Sequence, residues 1–84
     1  MPAKTRKEHK LHKSPEAARA LRRLASAIRE YRAGNGIPMQ TLAAQIGCTH
    51  YVIAHIEQEQ NAPSFAVLAA MNEVIPGLAG KVFN

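Results

Sequence analysis

Eighty-four residues suffice for one small domain, whose core is marginal unless it is well packed or shared between copies. The chain is 46% hydrophobic, chiefly Ala, Leu and Ile, with no Trp and only two Tyr and two Phe, a balance that favours helices over sheets. A formal charge of +5 argues for a polyanionic partner, the single Cys48 excludes an internal disulfide, and no apolar run is long enough to span a bilayer.

The charge is unevenly spread. Residues 1–32 carry ten Lys and Arg against Glu8, Glu16 and Glu30, a balance of +7, whereas residues 33–84 carry only Lys81 against Glu57, Glu59 and Glu73, a balance of −2. Nucleic acid is the first partner this asymmetry suggests, and anionic lipid the second. Residues 1–13 read as a basic, flexible arm in which Lys4, Arg6, Lys7, Lys10 and Lys13 follow no helical spacing. His9 and His12 sit among them, but two imidazoles without further ligands are a weak metal signal.

Ser14-Pro15-Glu16 is a strong helix start: a capping hydroxyl, a proline in the first turn and an acid at the positive helix end. The helix is expected to run to about Arg32 or Ala33 and stop at Gly34-Asn35-Gly36. Ala17, Leu21, Leu24, Ala25, Ile28 and Tyr31 form its apolar stripe, with Arg19, Arg22, Arg23 and Arg29 pointing elsewhere. Arg32 falls on the stripe, four residues after Ile28, and a cation there needs a partner or must snorkel past the helix end.

Next comes the stretch that organises the chain. Ile37-Pro38 opens a short helix in which Leu42, Ala43 and Ile46 share one face, and Gly47 stops it. Thr49 is placed to cap a third helix running to about Gln58, with Ile53 and Ile56 buried. Two short amphipathic helices meeting at a tight Gly turn follow the helix-turn-helix plan. The whole, from Ile37-Pro38 through Thr41–Glu57 to Ala62-Pro63-Ser64-Phe65, resembles the lambdoid-repressor family of Cro and Xre-type DNA-binding proteins. The implied fold is all-α: a compact four- to five-helix bundle containing a helix-turn-helix, lambda-repressor-like, spanning residues 14–84.

The resemblance implies that the third helix lies in the major groove of double-stranded DNA. Its outer side offers His50, Tyr51, Ala54, His55 and Gln58, imidazole, phenol, methyl and amide groups suited to base edges. The family's base-reading positions fall on His50, Tyr51 and His55, flanked by Thr49 and Val52. Phosphate contacts are expected from Met39 and Gln40 at the start of the second helix, from Gln58, from the arm and from Arg22. In the family an Arg before the motif pairs with a Glu ending the recognition helix; here these are Arg32 and Glu57. The chain departs from the pattern where Met39 replaces a phosphate-binding Gln, and where Gln58-Glu59 replaces a basic or amide residue followed by Gly. The third helix also contains no Lys or Arg, so phosphate-binding charge must come from the arm and the first helix.

Pro63-Ser64 begins a fourth helix whose core face is expected to hold Phe65, Leu68, Ala69, Met71 and Ile75, until Pro76-Gly77 breaks it. Leu78, Val82 and Phe83 then supply a homodimer contact together with the fourth helix, for reading a palindromic operator, or a fifth helix sealing the core, and the two roles are compatible. The expected role is a cytoplasmic transcriptional regulator of the bacterial cytosol or nucleoid, a repressor or autoregulator of phage, mobile-element, controller or antitoxin type. The rival readings are the same fold binding a protein partner, as in an anti-activator or antitoxin, and a membrane-surface peptide built on a first helix whose apolar face is shallow. No nucleophile–base set, no small-molecule site and no cofactor or metal motif is expected; Cys48, His50 and His55 lie on different sides of the turn and helix.

Overall fold

The computed structural model describes residues 14–83, so the arm cations Lys4, Arg6, Lys7, Lys10 and Lys13 lie outside the described residues. Five helices follow one another: α1 (Pro15–Asn35), α2 (Met39–Ile46), α3 (His50–Glu57), α4 (Phe65–Val74) and α5 (Leu78–Phe83). The described residues contain no strand, and none of their helices is long and apolar enough to cross a membrane.

The helix ends follow from particular residues. At the start of α1 the Ala17 amide donates to Ser14 Oγ at 3.1 Å, with Pro15 in the first turn. At its end Gly36 adopts φ 64°, and the Ile37 amide reaches back to the Arg32 carbonyl at 3.1 Å. That closure needs a residue at ease in the left-handed region, and it carries α1 a fraction of a turn past the expected stop, to Asn35. Gly47, at φ 93°, closes α2 in the same way: its amide and that of Cys48 both donate to the Ala43 carbonyl, at 2.8 and 3.0 Å.

One cap differs from expectation. Pro38 stands just before α2 at its N-cap position, one residue ahead of the first turn, and Thr49 is the N-cap of α3 but contributes no side-chain capping bond. Thr49 is exposed, whereas Ile53 and Ile56 are buried.

The core is built from Leu24, Ala27 and Ile28 of α1, Leu42, Ala43 and Ile46 of α2, and Ile53 and Ile56 of α3. Met71, Ile75, Leu78 and Val82 complete it from the C-terminal third. α1 lies between α3 and α5, meeting both, while α2 bridges α3 and α4. Ala27 joins the core because α5 folds onto that side of α1, a placement no local pattern in α1 announces.

The expected face of α4 is corrected by the fold. Phe65 is 85% exposed and Ala69 is exposed, whereas Val67 and Val74 pack against the core beside Leu68 and Met71. At about 100° per residue Ala69 lies some 160° from Met71, and Phe65 some 120°. Val67 and Val74 stay within roughly 60° of Met71, so they, and not Phe65 or Ala69, turn inward. The tail forms the sealing helix: Leu78 and Val82 are buried, and the Ala79 amide donates to Asn72 Oδ1 at 3.1 Å, tying α5 back to α4. Leu78 and Val82 therefore have no surface to offer a second copy, and of the three tail residues only Phe83, 64% exposed, does.

Candidate nucleic-acid interface

The site begins with how α1 holds α3. Arg32 Nε and Nη2 donate to Glu57 Oε2 and Oε1 at 2.7 and 2.9 Å, the two-pronged geometry in which a guanidinium matches a carboxylate. A longer contact runs from Arg32 Nη1 to the Ile37 carbonyl at 3.4 Å. The Glu57 side chain is 6% exposed and that of Arg32 22%, so the pair lies at the edge of the core. Hydrogen bonding to Glu57 is the main cause that raises the Arg32 pKa above its already high ordinary value, against a smaller opposing effect of burial. The stabilisation linked to Arg32 is complete below the ordinary arginine value and is lost only as pH climbs past the raised one, outside the physiological range.

Arg29 corrects an expectation. The apolar stripe of α1 directs it elsewhere, but its Nη1 donates to the backbone carbonyl of Glu57 at 2.6 Å. That carbonyl is at the negative end of α3, where a cation is favourable. The sequence does hold a signal for this: Arg29 precedes Arg32 by three residues, about 60° around the helix, so both can reach one end of a neighbour.

With its C-terminal end fixed, α3 presents a divided outer surface. Tyr51 is 64% exposed, and its ring stands 4.2 Å from the half-buried His50 ring with 32° between planes. Thr49 and Gln58 are exposed at the two ends of the helix. Val52 and His55, both half-buried, turn to one side, where with Ile56 they line a groove of about 260 Å³ closed by Asn61, Ala62, Pro63, Ser64 and Val67. Thus His50 and Tyr51 form one cluster and Val52 and His55 another. Met39, half-buried, and Gln40, exposed, start α2, whose first amide groups have no side-chain cap.

Arg22 belongs to α1. It is exposed on the outer face of α1, in a groove shared with Arg23, Ser26, Ala27, Glu30 and Lys81. The loop after α3 contains the strained residue of the described chain: Glu59 sits at φ 61°, the one non-glycine residue there with positive φ. Its amide donates to the Ile56 carbonyl at 2.9 Å and that of Gln60 to the His55 carbonyl at 2.9 Å, the closure a glycine would make without steric cost.

Among the described residues no group of three His, Cys, Asp or Glu side chains gathers as a metal site would require. Burial raises the pKa of the Cys48 thiol, which favours its protonated, less nucleophilic form. No protein family matches the chain by sequence, and neither a curated protein nor a solved structure matches it.

Proposed function

We propose that α2, the turn Gly47-Cys48-Thr49 and α3 act as a helix-turn-helix, and that the protein is a sequence-specific DNA-binding regulator that reads base edges with α3. The observation that carries this reading is the contrast within α3. Its end is clamped by Arg29 and Arg32, while its outward side leaves Tyr51, His50 and Thr49 unengaged by the core. A helix held rigidly with donor, acceptor and methyl groups outward is what major-groove reading needs. Met39 and Gln40, at the uncapped start of α2, suit a phosphate, since amide groups at a helix start attract anions.

A palindromic operator would be read by two copies with their α3 helices about 34 Å apart. Phe65 and Phe83, exposed on α4 and α5, support a homodimer contact there. The rival reading, a protein partner, draws support from α3 having no Lys or Arg and from Glu59 directly after it.

Selection of bound sites from a pool of random and genomic duplexes separates the two. DNA reading predicts an enriched motif whose sharpest positions relax in Tyr51→Ala or His55→Ala, at a cost of roughly 1–3 kcal/mol at those base pairs. Enrichment of no sequence, with the wild-type chain folded, would overturn the proposal in favour of a protein partner.

A further inference from the structure

α4 is apolar over more of its surface than the core uses. All but Asn72 and Glu73 of its ten residues are apolar. Leu68, Met71 and Val74 pack inward, yet Phe65, Ala66 and Ala69 are exposed, Phe65 to 85%. A helix apolar on all sides belongs in an interior, so the outward side of α4 calls for a cover. A recess lies beside it. Ala17, Ala20, Leu21 and Leu24 of α1, Leu68 of α4 and Phe83 of α5 line a groove of about 180 Å³ in which every lining side chain is apolar. Pro63 borders it too, so Phe65 leaves the chain between two groove residues, Pro63 and Leu68.

We propose that this groove takes Phe65 of a second copy, so that the two molecules of a homodimer each insert that ring between α1, α4 and α5 of the other. Size, position and charge favour a second copy. An apolar cavity of about 150 Å³ accepts benzene, so a groove of about 180 Å³ has room for one phenyl ring. Knob and recess are neighbours on one surface, which is thereby complementary to itself, and a single two-fold rotation makes both contacts at once. Phe65, Ala69 and Glu73 share one side of α4, within about 80° of one another, and α4 has no Lys or Arg. Arg19 stands next to the groove, in an adjoining one that shares Ala20 and Phe83 with it and also contains Glu16. α1 as a whole carries more Arg than Glu. Laying α4 of one copy over the groove therefore sets an acidic helix against a basic one. Laying α4 on α4 would instead place Glu73 of both copies on a shared face that contains no cation.

The contact rests on the homodimer proposed above, but not on what α3 binds. Sedimentation equilibrium of the full chain without DNA tests it, from about 1 μM to about 1 mM, which covers weak and moderate dimers. Wild type is expected to dimerise. Phe65→Ala should raise the dimer dissociation constant at least about a hundredfold, because each dimer loses two aromatic anchors. At a concentration where both are monomeric, that variant should melt at the wild-type temperature, since Phe65 is exposed in its own fold. Ala20→Gln, which puts an amide into the groove, should dissociate the dimer in the same way.

The two variants mixed in equal amounts should associate again, more weakly than wild type, because one intact Phe65 then meets one intact groove. Neither misfolding nor a contact elsewhere yields that recovery. A wild type that is monomeric throughout, whether or not another protein occupies the groove, overturns the proposal. So does a Phe65→Ala variant that dimerises like wild type, or a mixture no more associated than its separate components. A failure of the DNA reading looks different: the dimer and the recovery on mixing are both present, yet no duplex sequence is enriched.

Discussion

At its C-terminal end α3 is fastened by two arginines of α1, whereas at its N-terminal end it has no side-chain cap and leaves Tyr51 largely in solvent. The fastened end uses charge for position: Arg32 and Arg29 satisfy the carboxylate and the terminal carbonyl of Glu57, and neither is left for a ligand. The open end has no Lys, Arg, Asp or Glu, only Thr49, His50 and Tyr51 around the start of the helix. The difference teaches that the two ends of one eight-residue helix are held unlike each other, so that substitution at the open end is expected to leave the fastened end, and with it the fold, in place.

The largest effect is expected at the fastened end. Glu57→Ala leaves the Arg32 guanidinium at the core edge without its acceptor side chain. An exposed pair contributes below about 1 kcal/mol, and breaking a buried one costs roughly 3–5 kcal/mol. For a pair with one partner buried and the other partly open, a loss of about 2–3 kcal/mol follows, which lowers the melting temperature of a domain this size by roughly 10 °C or more. Thermal melts followed by circular dichroism check it, and an unchanged midpoint would remove the clamp from the account of α3.

Tyr51→Ala probes the opposite end. With its ring touching His50 and otherwise exposed, its loss should move stability by less than about 0.5 kcal/mol while costing roughly 1–3 kcal/mol of binding at particular base pairs. A melt and a binding titration on the same sample decide the matter. A large stability loss would mean the open end also holds the fold, and the contrast between the two ends would collapse.

A third, smaller effect is expected just beyond the fastened end. Glu59→Gly relieves a left-handed backbone that costs a non-glycine residue about 1 kcal/mol, an effect partly offset by the greater freedom glycine gives the unfolded chain. A net gain of a few tenths to about 1 kcal/mol in urea denaturation is expected, with tighter DNA binding as the acid leaves the loop. Destabilisation by Glu59→Gly would mean that the glutamate side chain holds the loop through a contact of its own.

Much of this arrangement is legible in the sequence, and the failures have identifiable causes. Gly36 and Gly47 close helices where glycine predicts it, and Arg32 announces itself by occupying an apolar stripe. Glu59 gives no such notice, because the closing residue after α3 lacks the glycine that would mark it. On α4 the apolar residues nearly surround the helix, so pattern alone picks Phe65 and Ala69, while packing against α2 and α5 selects Val67 and Val74. The fate of Leu78 and Val82 depends on whether the tail folds back, which is decided by a tertiary contact and the Asn72–Ala79 bond.

The smallest effect separates two meanings of an open helix end. α3 lacks a side-chain cap, but Cys48, two residues before it, is half-buried, packs against the core and donates its amide to the Ala43 carbonyl. Burial raises the thiol pKa, so the folded chain keeps the proton to higher pH than the unfolded chain does. The linked stability is complete below the ordinary thiol value and is lost as pH rises through the raised one. If the turn is held as packed, iodoacetamide should label Cys48 more slowly than a free thiol at about pH 7.4, where the thiolate fraction sets the rate. The midpoint of its pH–rate curve should lie higher, and urea should abolish both differences. Labelling at the rate of a free thiol in the native protein would mean that the turn opens readily, and that the N-terminal end of α3 is open by fraying and not merely by lacking a cap.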